Sequence, residues 1–180
     1  MSARKLAADK VLWETLGRWK RSTSELDRIQ FLKTVPFFDR VSNRQLKGVS
    51  DIMFQRTYEA DEFIFEEGQP GAALFLILDG KVAIEICRET GTTRLAVLET
   101  GAFFGEMALL DDTPRSANAR ALEPTRTLAL YRNDLNELAH RDPKTACQIY
   151  RSLAGTIGDR LRLTNELVQM KASADIAGLG

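Results

Sequence analysis

The sequence predicts a mainly β fold of the α+β class, an antiparallel β-roll or sandwich with helices at both ends. Two observations carry that expectation. Short apolar segments recur through the middle of the chain at near-regular spacing, with turn residues between them, and the ends carry helical 3–4 periodicity instead.

The strands justify themselves in order. Phe63 and Phe65 alternate with Ile64 and Glu66, and Leu74 to Leu78 is a continuous apolar run. Val82, Ile84 and Ile86 alternate with Ala83 and Glu85, while Leu95/Val97 and Leu128/Leu130 supply later strands. Asp79-Gly80 between two such runs predicts a tight hairpin. Thr90-Gly91 and Thr100-Gly101 mark further turns.

Helical segments flank this core. Leu12, Leu16 and Trp19 share one side of a basic amphipathic segment, which either covers the domain's own apolar surface or meets a membrane or partner. From Cys147 onward, one stripe runs Cys147, Tyr150, Ala154, Ile157, Leu161, Thr164 and Val168, and a second runs Ile149, Leu153, Thr156, Leu163, Leu167 and Met170. One stripe can pack on the roll while the other pairs with a second copy, giving a homodimer through 147–168; the alternative buries both within one protomer. The expected organisation is a helical extension over 1–35, a β-roll over 36–136, C-terminal helices over 137–172 and a frayed tail over 173–180.

The stretch from Phe104 to Ala121, FGEMALLDDTPRSANARA, carries the functional signal. Gly105 lets the backbone turn tightly and approach a ligand closely. Glu106 to Leu110 can open a short helix whose free N–H groups favour an anion. Arg115 adds a planar, permanently charged fork suited to phosphate. A phosphate would repel Glu106, so its carboxylate is read as the acceptor for a nearby sugar hydroxyl. Together these describe a site for a nucleotide. The competing reading is a Glu106–Arg115 ion pair that holds a loop closed.

This stretch resembles the phosphate-binding cassette of the cyclic nucleotide-binding domain family, found in catabolite activator proteins, protein kinase A regulatory subunits and nucleotide-gated channels. The resemblance extends over VPFFDRVSNRQL and FIFEEGQPGAALFLILDGKVAIEI, with turn glycines at Gly68 and Gly80. It implies a jelly roll of about eight strands. It also implies that Glu106 accepts the ribose 2′-hydroxyl and Arg115 meets the cyclic phosphate. Gly105, Met107, Ala108, Ser116 and Ala117 would surround the phosphate, and Thr164 and Asn165 would read the base edge. Ser116, where a threonine accompanies cyclic GMP, tilts the expected ligand toward cyclic AMP with cyclic GMP possible. One departure stands out. Family members often place an acid before the strand ending in the DG turn, to steady the arginine, and this chain has Gly71, Ala72 and Ala73 there.

Composition narrows the remaining classes. Lys+Arg and Asp+Glu each number 25, so no basic excess suggests a nucleic-acid surface. Cys87 and Cys147 are too few for a disulfide framework and read as buried thiols in a reducing cytoplasm. No apolar run approaches membrane-spanning length, so membrane contact is not expected. His140, the single histidine, reads as a solvated helix-end residue without metal-ligand partners. No nucleophile elbow, Walker loop or dinucleotide glycine pattern occurs, so neither enzyme nor cofactor is expected. The reading is a cytoplasmic cyclic nucleotide receptor acting on an unidentified effector protein; the alternative is an interaction module of the same fold with weak or lost nucleotide binding.

Overall fold

The computed structural model of the chain describes residues 25–177. The amphipathic segment expected around Leu12, Leu16 and Trp19 lies outside them. Helix α1 (Glu25–Leu32), a 3-10 turn (Pro36–Phe38) and α2 (Asn43–Asp51) lead into eight strands. These are β1 (Met53–Tyr58), β2 (Phe63–Phe65), β3 (Ala73–Asp79), β4 (Lys81–Arg88), β5 (Gly91–Glu99), β6 (Phe103–Phe104), β7 (Asn118–Ala121) and β8 (Thr125–Tyr131). A second 3-10 turn (Glu106–Leu109) separates β6 from β7, and α3 (Arg132–Arg141) and α4 (Pro143–Ala177) follow the roll. The roll therefore passes into helix at Arg132, ahead of the expected boundary at 137, and α4 carries on into the segment expected to fray.

The strands form two four-stranded antiparallel sheets, ordered β1-β8-β3-β6 and β2-β7-β4-β5. Within those orders lies a nested set of pairs: β1 with β8, β2 with β7, β3 with β6 and β4 with β5. The chain is thus one long hairpin ribbon rolled on itself. Its turn is at Glu89-Thr90, where Arg88 opposes Gly91. The segment between β2 and β3 consequently lies opposite the segment between β6 and β7, which is the cassette.

The continuous apolar run of β3 has a direct cause, since a strand covered on both faces cannot alternate with polar residues. Leu74, Leu76 and Leu78 face a cluster with Phe31, Leu32, Phe37, Phe38, Leu46, Leu135, Ile149 and Leu153 from the helical layer. Ala73, Phe75 and Ile77 face the other way, with Val82, Phe104, Ala119 and Ala129 between the sheets. Helix α4 begins at a sharp break. Asp142 accepts from the Thr145 amide at 3.1 Å and its hydroxyl at 2.5 Å, and Pro143 takes the first helical position.

Two expectations are corrected. Asp79-Gly80 is not a hairpin, because β3 and β4 belong to different sheets; it is the corner at which the ribbon crosses between them. Gly80 has φ 101°, and a Cβ there would lie 2.4 Å from Thr125 Oγ1 and 2.8 Å from its Cα. The second correction concerns the thiols, since Cys87 and Cys147 are both exposed. Cys87 lies near the end of the β4–β5 hairpin, and Cys147 directly follows the buried Ala146 in α4.

The corner gives a stability test. Gly80→Ala combines a left-handed φ with a backbone clash and should lower stability in urea unfolding by about 2 kcal/mol or more. Gly48→Ala, mid-α2 with nothing within 4 Å of the new Cβ, should raise it by roughly 0.5–1 kcal/mol.

Candidate functional site

The cassette begins with a backbone reversal. Gly105 has φ 73° and ψ 19° and caps the 3-10 turn Glu106–Leu109. Any side chain would be excluded there, since a Cβ would meet Arg115 Nη1 at 2.7 Å, Ala73 O at 3.2 Å and the Phe65 ring at 3.3 Å. Antiparallel pairing of Phe104 with Phe75 fixes where this turn leaves the sheet. The reversal carries Glu106 into the protein, where it is 5% exposed.

Arg115 arrives from the opposite side of the cassette loop. Its backbone is stitched to the facing β2–β3 segment: its amide donates to Gln69 O at 2.9 Å, and its carbonyl accepts from Gly68 N at 2.8 Å. A bridge between Pro70 and Pro114 extends the contact. The guanidinium then turns inward. Nη1 donates to Gly105 O at 3.1 Å and Nη2 to Ala73 O at 2.9 Å, with the group 4.0 Å above the Phe65 ring. Burial lowers its pKa, and the charge of Glu106 opposes that shift.

The missing acid has a visible consequence. Arg115 Nε is buried and has no hydrogen-bond partner among the described residues. It faces Gly71, where even a Cβ would come within 3.3 Å of Nε and 2.8 Å of Ala108 Cβ. Two main-chain carbonyls and an aromatic face hold the guanidinium in place of a carboxylate.

The Glu106–Arg115 ion pair is not formed. Glu106 Oε1 instead accepts from Arg160 Nη1 of helix α4, and Arg160 Nη2 donates to Phe103 O at 3.1 Å. The Arg160 guanidinium also lies 5.5 Å from the centre of the Phe103 ring. One side chain thereby ties the long helix to the first residue of β6 and to the start of the cassette.

These groups border a cavity of about 750 Å³. Phe65, Ile84 and Phe104 form its apolar wall, and Leu95 and Leu98 extend it along β5. Gly105, Glu106, Met107, Ala108, Arg115, Ser116 and Ala117 all line it, as does Thr164. Asn165 does not. One residue further on, a helical side chain is rotated by about 100°, which takes Asn165 off the face that carries Thr164. Thr164 Oγ1 donates to Arg160 O at 2.9 Å within its own helix. Arg160 and Leu163 complete the helical side of the cavity; the expected site included neither, Leu163 having been assigned to a packing stripe and Arg160 not named. The signal was present, since Arg160 stands four residues before Thr164 on the same face.

The cavity is large enough for a small nucleotide and has the usual form of such sites, mostly apolar with a few convergent polar groups. Among the described residues no helix is long and apolar enough to cross a membrane, and no three metal-ligating side chains gather.

Comparison with known proteins agrees with this geometry. Residues 55–142 match the family model of the cyclic nucleotide-binding domain. The chain is 37% identical over 132 residues to a cyclic AMP receptor protein of Thermus thermophilus, covering 73% of this chain and 59% of that one. It is 32% identical over 125 residues to a cyclic nucleotide-gated potassium channel of Mesorhizobium japonicum, covering 69% of this chain and 33% of the channel. Among solved structures, a cyclic nucleotide-binding domain from Methylobacillus flagellatus superposes with a TM-score of 0.71 at 28% identity, covering 80% of this chain and 82% of that one. Eight antiparallel strands in two sheets, flanked by helices and interrupted by this cassette, are the jelly roll of those proteins, and the chain belongs to the cyclic nucleotide-binding domain family.

Proposed function

We propose that the protein is a cytoplasmic receptor for a cyclic nucleotide, with cyclic AMP preferred and cyclic GMP competing at higher concentration. The observation that carries this reading is that Glu106 and Arg115, nine positions apart in sequence, border one apolar-walled cavity from opposite ends of the cassette. In this reading the cyclic phosphate draws on Arg115 and the main chain after Gly105, with Ser116 and Ala117 beside it. A charged phosphate oxygen is a stronger acceptor than the carbonyls that now hold the guanidinium. Glu106 accepts the ribose 2′-hydroxyl, and the base lies toward Ile84, Leu95 and Thr164. Ser116 in place of threonine supports the preference for adenine.

Arg160 supports a route for the signal. It holds the same carboxylate that the ribose needs, so occupancy and the Arg160 contact compete. Ligand then favours a position of α4 in which Arg160 is released, because only differential contact with two states can shift their balance. The output passes through the far half of α4, where Leu161, Leu163, Leu167, Val168 and Met170 are exposed. That surface supports a homodimer through 147–168 or an effector protein. The module performs no catalysis of its own in this reading.

Calorimetric titration with cyclic AMP, and competition with cyclic GMP, tests the proposal directly. No binding of either would establish the alternative, an interaction module with a lost site. Arg115→Ala should weaken binding by about ten- to a hundredfold, the loss of a charge-assisted contact worth roughly 1.5–3 kcal/mol. Wild-type affinity in that variant would remove the cassette assignment.

The sugar contact has its own readout. Glu106→Gln should weaken cyclic AMP while hardly changing affinity for the 2′-deoxy analogue, and equal losses for both would show that Glu106 does not hold the ribose.

For the helix contact, Arg160→Ala removes a half-exposed ion pair and so frees Glu106. Cyclic AMP binding should tighten by up to about fivefold, with faster amide exchange in α4 of the ligand-free protein. Weaker binding would mean that Arg160 contacts the ligand instead of competing with it.

A further inference from the structure

The carbonyl acceptors of Arg115 need a fixed position, because no carboxylate among the described residues accepts from the guanidinium. One of them, Ala73 O, follows directly on the segment from Gly68 to Ala72, which has no helix or strand of its own to stiffen it. A second arginine closes that segment onto the cassette. Arg132, the first residue of α3, donates from its backbone amide to Ala72 O at 2.8 Å. Its Nη2 donates to Gly71 O at 3.2 Å and pairs with Asp112 Oδ1, while Nη1 donates to Asp111 O. The side chain is only 20% exposed. Its fork therefore bridges the two loops that carry Arg115 and its acceptors, at the opposite end from the Gln69–Arg115 and Gly68–Arg115 stitches.

We propose that Arg132 is a positioning residue for Arg115: by clamping Gly71 and Ala72 to Asp111 and Asp112, it holds the phosphate-binding guanidinium in register. It takes over in this chain the orientation that a carboxylate at 71–73 would supply. The inference rests on the reading of Arg115 as the phosphate partner. The planar fork spreads these contacts over two nitrogens, with Nη2 shared between Gly71 O and Asp112 Oδ1 and Nη1 on Asp111 O, and a lysine ammonium lacks that shape.

The test uses the full chain with fluorescently labelled cyclic AMP, in a double-mutant cycle. Arg132→Gln should weaken binding by about tenfold, the effect of one or two hydrogen bonds. Arg132→Lys, which keeps the charge and the packed stem, should not restore affinity. In the Arg115→Ala background, Arg132→Gln should cost nothing further, whereas with Glu106→Gln the two losses should multiply. A merely structural role would add to both backgrounds alike. A second arm needs no ligand: the Arg115 Nε–H signal in ¹⁵N spectra should exchange slowly in the parent and at the rate of an exposed arginine in both Arg132 variants. Parent-like affinity in the variants, an undiminished loss on Arg115→Ala, or an unchanged Nε–H exchange rate would each overturn the clamp. Should Arg132→Gln fail to fold, Arg132→Lys carries the same comparisons. Should the parent bind no cyclic nucleotide, the receptor reading falls, and the exchange measurement still decides the clamp.

Discussion

A guanidinium largely withdrawn from water must find acceptors, and the local structure around Arg115 is arranged to supply them. Gly105 adopts a left-handed conformation that brings its carbonyl to Nη1, and it has no Cβ because that nitrogen occupies the space. Gly71 is bare for a related reason, being pressed between Ala108 and Nε. Phe65 offers the face of its ring, a favourable partner for a cation that has lost part of its hydration. Leaving a buried donor unmatched is costly, and Nε is the one nitrogen of this group without a partner among the described residues. The guanidinium is held firmly but remains open to a stronger acceptor.

Helix α4 divides into two parts with different duties. Its first turns bury Ala146, Ile149 and Leu153 against the sheet and belong to the core. Beyond Gly155 the helix leaves that core, and Arg160 becomes its bond to the cassette. In the proposed reading, a long helix fixed at one end and tied near the middle by a single charged contact moves as a lever once that contact is exchanged. The apolar side chains further along would then change their surroundings without any rearrangement of the roll.

Much of this was legible in the sequence because the relevant patterns are local. Apolar alternation and turn glycines marked the strands, and a glycine, a carboxylate and an arginine in order marked the cassette. What could not be read was whatever depends on which strands become neighbours. Asp79-Gly80 has the composition of a hairpin, yet its geometry is set by Pro124 and Thr125 packed against it. In the sequence Glu85 only alternates with Ile84 and Ile86; it is buried under Arg94 and Arg120, and its hydrogen bond to Arg120 above all keeps its pKa low. The thiols were misread for a similar reason, since a strand or helix assignment does not tell which side is covered. Arg160 and Arg132 are ordinary surface residues by composition, and only the folded chain shows what each one reaches.

The nested pairing of the ribbon bears on how the site comes into being. Only β4 and β5 close over a short stretch of chain; each successive pair outward joins residues further apart, ending with Met53 opposite Leu130. Folds dominated by such distant pairings gain their contacts late and assemble slowly, on the order of milliseconds to seconds. The cassette and its facing loop sit partway along this ribbon, so their alignment waits on strands at both extremes of the domain. A fragment cut between β7 and β8 would retain Gly105, Glu106 and Arg115, yet would lack the strand that aligns β3 and, with it, the carbonyl of Ala73. The proposed recognition is in this sense a property of the finished topology, although Glu106 and Arg115 stand in one short segment.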